Sequence, residues 1–345
     1  MHRLPYVLFL AVLLYTLSAR EHTVPHSSVP AFTSSNYGIY AEEVRINTGA
    51  VTISGTLLMP HQSVPAPAVI IIPGSGAATR NGSWNMYLKI GEYLGGRGVA
   101  VLIYDKRGVG GSTGNWKSET FDERAQDVAT LMRYLQSRVE IDPTKIGLIG
   151  HSQGAYIAPL VVAKYSNDVK LVVMLAGPGQ SVWDQVLMNE RMESLRSGYP
   201  ISEVETKVTA LENQLEFLDK FQVPCRMIRA HYLCFVIDYD PTFALQNLTV
   251  PTLALYAELD TQVPPEVNIP LLEAALLGAG NKEYAIHTFE KTNHWFAQAE
   301  NGTTTEMRET MQESGFDHYD FVPGFLNMIG DWITALFFTS HPYCT

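Results

Sequence analysis

Lys145-Ile146-Gly147-Leu148-Ile149-Gly150-His151-Ser152-Gln153-Gly154-Ala155-Tyr156-Ile157-Ala158-Pro159-Leu160 decides the fold. It reads as a short apolar strand, a G-x-S-x-G turn and the start of an apolar helix. A serine at a strand-to-helix turn is forced into a strained backbone conformation, which lifts its hydroxyl clear of the sheet. Gly150 and Gly154 keep Cβ atoms out of the two places where strand and helix crowd that turn. The pentapeptide alone is a weak signal, and its flanks make it a strong one. The alternative is a plain strand–Gly–helix connection.

Upstream, Ala68–Ile72 is a continuous β-branched run, the mark of a strand buried on both faces of a parallel sheet. A helical stretch from Trp84 to Gly96 leads to a strand over Val99–Tyr104, and another from Phe121 to Arg138 leads to the strand before the turn. A hairpin signal, Thr48-Gly49, separates strand patterns at Val44–Ile46 and Val51–Leu58. Downstream come strands at Leu171–Leu175, Thr252–Tyr256 and Tyr284–Phe289, with helical patterns at Glu266–Leu277 and Gly324–Phe338. Between residues 180 and 247 there is no strand signal, but two amphipathic helical stretches occur. The rhythm predicts an α/β fold: a doubly wound, mostly parallel eight-stranded sheet with an inserted helical cap. The expected division is a signal peptide over 1–19, a linker over 20–40, a core from 41–179 and 248–340, and the cap over 180–247.

The chain has 345 residues, 46% hydrophobic and 17% charged, enough for one large domain with an insertion. A net charge of −11 argues against nucleic acid or an anionic membrane surface as partner. Met1-His2-Arg3, the apolar run Tyr6–Leu17 and the small residues Ser18-Ala19 suggest a cleaved secretory segment, too short for a comfortable membrane span; an uncleaved anchor is the alternative. Sequons at Asn81, Asn247 and Asn301 fit a secreted glycoprotein. Cys225 and Cys234 are plausible disulfide partners in that compartment, with Cys344 left over; three free thiols are the alternative.

Ser152 needs a base, and the base needs an orienting acid. On a doubly wound sheet both belong on loops at the C-terminal edges of later strands. After the first strand beyond the cap stands Asp260, the chosen acid, with Glu258 as competitor and a helix N-cap as the alternative role for Asp260. After the last strand stands His294, the chosen base. His287 lies within that strand, and His151 is bound into the turn itself. The oxyanion of a tetrahedral intermediate needs preorganised donors. These are assigned to the N–H of Gln153, at a helix start, and to Ser75, with Gly76 next, in the loop Pro73-Gly74-Ser75-Gly76. That loop, like Asp105-Lys106-Arg107-Gly108-Val109-Gly110, lacks the spacing of a phosphate cradle. Asp105 and Arg107 are expected to pair or to bind backbone groups. No cofactor and no metal site is indicated; the partner is a small acyl substrate.

Together, the turn around Ser152, the Asp105–Gly110 stretch, Glu258–Pro264 and Asn293-His294 resemble the α/β-hydrolase superfamily, in its serine esterase and serine-aminopeptidase-like (S33-type) branch. The resemblance covers residues 40 to 338. It implies a Ser152–His294–Asp260 triad and ester hydrolysis through an acyl-enzyme. Amide cleavage or acyl transfer on the same triad is a second class, and a binding protein on a hydrolase scaffold a third. Pro73-Gly74-Ser75-Gly76 departs from the HGGG type of many lipases.

Overall fold

A computed structural model describes residues 38–62, 65–165, 168–221, 231–314 and 320–338. The signal peptide, nearly all of the linker, Cys225 and Cys344 lie outside these residues, and so does the Cys225–Cys234 pairing.

Eight strands form one sheet: β1 Ile39–Asn47, β2 Thr52–Pro60, β3 Ala66–Ile72, β4 Ala100–Tyr104, β5 Ile141–His151, β6 Val169–Leu175, β7 Thr252–Ala257 and β8 Tyr284–Phe289. Their order is β1-β2-β4-β3-β5-β6-β7-β8. β1 pairs antiparallel with β2 and β2 antiparallel with β4; every other neighbour is parallel. β1 starts inside the expected linker, because Ile39 and Tyr40 pair with Pro60 and Met59.

The principal helices are α1 Met86–Gly95, α2 Phe121–Gln136, α3 Gly154–Lys164, α4 Val182–Arg196, α5 Ile201–Lys220, α6 Thr242–Leu245, α7 Pro265–Gly278, α8 Thr304–Ser314 and α9 Phe325–Phe338. From β3 the chain crosses through α1 to β4, then returns through α2 to β5 on the other side of β3. Right-handed crossovers in opposite directions place α1 and α2 on opposite faces. Each face has its own seam. Arg97, just beyond α1, pairs with Asp331 on α9 at 2.6 Å, and a Cβ on Gly330 would meet Tyr93 and Arg97. On the other face Asp122 of α2 accepts from Lys164 of α3 (2.8 Å) and from Tyr165 just beyond it (2.6 Å). Covering both faces buries every residue of β3, β4 and β7, which is why they carry apolar runs rather than alternation.

The direction of winding reverses at β3. Loops leaving β3 and β5 therefore splay to opposite sides and open a crevice at the strands' C-terminal ends. The region between β6 and β7 is helical, with α4, α5 and α6 in it. Among the described residues, no helix is long and apolar enough to cross a membrane.

Candidate active site

Ser152 leaves β5 at φ 53°, one of six described non-glycine residues with positive φ. Its neighbours leave no other route. A Cβ on Gly150 would lie 2.5 Å from the Gly154 carbonyl oxygen, and one on Gly154 would collide with the Ile72 carbonyl. Backbone bonds clamp the strained residue: Ser152 N–H donates to Leu175 O at 2.8 Å, and Ala155 N–H to Ser152 O at 2.8 Å. Gly154→Ala is expected to destabilise the fold by about 3 kcal/mol, the upper end for overpacking, because backbone cannot rotate away. The urea midpoint measures it.

Asp260 and His294 are joined directly. The loops after β7 and β8 run side by side: Glu258 N–H donates to Phe289 O (3.0 Å) and Leu259 N–H to Thr292 O (2.9 Å). Asp260, 1% exposed, accepts from Gln262 N–H and Val263 N–H through Oδ1, at 2.7 and 2.8 Å. Its Oδ2 lies 2.7 Å from His294 Nδ1. The imidazole, 2% exposed, is aimed by a turn in which Asn293 Oδ1 accepts from Trp295 N–H and Ala297 N–H. A carboxylate facing Nδ1 places the ring proton there and leaves Nε2 as the basic nitrogen. Glu258 turns outward and accepts Lys291 N–H at 2.7 Å, and His287 is exposed on β8.

His151 brings the serine turn to this pair. Its Nε2 lies 3.3 Å from His294 O, and the two rings are 5.0 Å apart. Its Nδ1 lies 3.0 Å from Tyr87 Oη, which also accepts Gly74 N–H at 3.0 Å. A single proton assignment fits: Nε2–H donates to the carbonyl, Tyr87 donates to Nδ1, and Gly74 donates to Tyr87. The β3 loop, α1, the serine turn and the base loop are thus stitched by one chain of bonds. Burial, with His294 adding to it, pushes His151 down to about 3, so the ring stays neutral. Burial pushes the Tyr87 phenol up to about 12, so it remains a donor.

His151 also sets a pH dependence. Between about 3 and 6.5 the unfolded chain takes a proton at this ring that the folded chain refuses. Stability therefore rises with pH across that window and is lost as pH falls. The shift corresponds to a contribution on the order of 5 kcal/mol. The unfolding midpoint is expected to fall steeply below pH 6.5, and less steeply in His151→Gln.

The β3 loop lies against the serine: a Cβ on Gly74 would sit 3.4 Å from Ser152 Cβ. Among the described residues, the N–H groups of Ser75, Gly76 and Gln153 meet no acceptor. Arg124 ties both proposed donors' segments together, through Nη1 to Gln153 Oε1 (2.6 Å) and Nη2 to Pro73 O (2.7 Å). Lys106 Nζ donates to Gly74 O (3.2 Å) and Gly76 O (2.9 Å).

Asp105 and Arg107 do not pair with each other. The Asp105 carboxylate accepts from the Arg80 guanidinium (2.8 Å) and from the backbone N–H groups of Arg80 (2.8 Å) and Gly111 (3.0 Å), and Arg80 reaches on to Glu43. Arg107 binds Asp127 at 2.7 Å and Glu119 at 3.1 Å. Two residues apart on a tight Gly-rich turn, they face different elements. Sequence reading passed over Tyr87, Lys106, Arg124 and Glu119 as site residues; the charged residues kept among apolar ones at Arg124 and Asp127, on one side of α2, were the available signal.

A mostly parallel sheet with a strained serine after β5 and a buried Asp–His pair after its last two strands defines an α/β hydrolase. The family model for serine aminopeptidase, S33, matches residues 64–298, and the chain belongs to that family. Esterase EstD of Thermotoga maritima is 26% identical over 260 residues, which is 73% of this chain and 60% of EstD's own length. Among solved structures, an esterase of Pyrococcus furiosus superposes with a TM-score of 0.57 at 16% identity, covering 88% of this chain and 94% of that one. A proline iminopeptidase of Mycobacterium smegmatis gives 0.56 at 15%, covering 86% and 98%. At such identities these two attest the fold.

Proposed function

We propose that the protein hydrolyses carboxylic esters through an acyl-enzyme on Ser152. His294 Nε2 takes the serine proton as the hydroxyl oxygen attacks the ester carbonyl, and gives it to the departing alcohol. A water deprotonated by the same nitrogen then attacks the acyl-serine and frees the acid. Asp260 holds the ring in the tautomer this needs. The N–H groups of Gln153 and Ser75, with Gly76 adjoining, receive the negative oxygen. The observation that carries the reading is the buried 2.7 Å Asp260–His294 bond, tied through His151 Nε2 and the His294 carbonyl to the turn that bears the strained serine. Esters rather than amides are favoured because EstD, similar along 260 residues, is an esterase.

A fluorophosphonate is expected to attach to one residue, Ser152, identified by peptide mass, and a short-chain p-nitrophenyl ester to be turned over. Label elsewhere, or release only from aminoacyl-naphthylamides, would refute the ester reading. The reading extends to a secreted glycoprotein with its first 19 residues removed. The apolar run Tyr6–Leu17 and the sequons support it, and Asn247 is exposed. A mass loss on endoglycosidase treatment of the secreted chain is the expected result.

A further inference from the structure

The loop after β3 is held from behind at successive peptide groups. Pro73 O accepts from Arg124, Gly74 N–H donates to Tyr87, and Gly74 O and Gly76 O both accept from Lys106. In a trans peptide the carbonyl oxygen and the following N–H point in opposite directions. With Gly74 O on the ammonium, Ser75 N–H is turned away from Lys106, and no described residue accepts it.

A buried lysine is a costly way to pin a loop that a neutral side chain could hold. Lys106 is 3% exposed and lies among Arg124, Arg107 and the 5% exposed Glu119. Glu119 Oε1 is 3.1 Å from Arg107, while Oε2, 3.8 Å from Arg124 Nε, has no hydrogen-bond partner among the described residues. Burial pushes the ammonium well below its ordinary range and the Glu119 carboxyl up to about 7. A buried titratable cluster of this kind directly behind two backbone carbonyls is better explained by what it does to their peptides than by packing.

We propose that Lys106 is a positioning residue for the oxyanion hole: by gripping Gly74 O and Gly76 O it aims Ser75 N–H at the developing oxyanion, and its proximity polarises the Gly74–Ser75 peptide so that this N–H donates more strongly. The inference rests on the esterase reading and adds the device that preorganises its electrostatics.

In Lys106→Met, kcat per labelled site on p-nitrophenyl acetate is expected to fall about 10- to 100-fold with KM changed less than about threefold. Affinity for a phenylboronic acid, which adds to the serine as a tetrahedral anion, should fall by the same factor. Normalising to fluorophosphonate-labelled sites removes any loss from misfolding. Lys106→Met combined with Glu119→Gln leaves no stranded carboxylate, and the same loss is expected there. Recovery in the double variant, or a per-site kcat within about twofold of wild type, overturns the proposal and leaves the esterase reading standing. A wild-type chain that turns over no ester and binds no boronic acid overturns both.

Discussion

Ser152→Ala is expected to lower kcat on a short-chain p-nitrophenyl ester by on the order of a millionfold, with the fluorophosphonate label lost entirely. Removing the oxygen leaves only the donors around the carbonyl, so whatever rate remains reports the hole alone. The fold should survive, because the clamps on residue 152 are backbone bonds to Leu175 and Ala155 that alanine keeps. Alanine also keeps the cost of φ 53°. Ser152→Gly removes it and is expected to be more stable than Ser152→Ala by about 1 kcal/mol, read from chemical denaturation. Substantial ester turnover by Ser152→Ala would show that another residue attacks the substrate.

Asp260→Asn is expected to reduce kcat by roughly ten-thousandfold at neutral pH. The reason lies in the two N–H groups of Gln262 and Val263 that grip Oδ1. They fix the orientation of an asparagine: its oxygen must stay on them, so its amide nitrogen faces His294 Nδ1. That donor forces the ring proton onto Nε2, the atom that has to be basic. Glu258→Gln is the matched control. Its carboxylate binds Lys291 N–H on the surface, and activity is expected to change less than about twofold. An active Asp260→Asn would mean that His294 is oriented by something else.

The sequence made legible what depends on local pattern. The turn around Ser152 could be read because strand, glycines and helix follow one another within sixteen residues. Asp260 and His294 could be read because parallel strands alternate with helices, so the loop after each strand is known to share one edge. The loop at Ser75 followed from the same logic. Illegible were the groups whose partners lie far along the chain. Lys106 acts on carbonyls 30 and 32 residues away, Arg124 on Pro73 at a separation of 51, and Tyr87 on a ring 64 residues on. Nothing in periodicity says that a lysine in a glycine-rich turn will fold back under an earlier strand. Asp105 and Arg107 show both outcomes: Asp105 holds the backbone N–H groups of Arg80 and Gly111, one of the two expected roles, but the two do not pair, because tertiary contacts give each its own counter-ion. Helix α8 went unread because Thr304–Ser314 carries only two apolar residues, Met307 and Met311, among charged and polar ones.

Glu193 on α4 accepts Thr261 Oγ1 at 2.7 Å and Thr304 N–H at 2.9 Å. Thr261 is the residue next to the acid. The helical excursion between β6 and β7 is therefore bolted at its near end to the mount that carries Asp260, while α5 extends beyond the bolt. Evolution or an engineer can lengthen, recharge or replace the far arm freely, but shifting the near arm would pull the imidazole out of alignment. The tolerance of this protein to redesign should consequently be graded along its roof, high at the distal helix and falling toward Glu193.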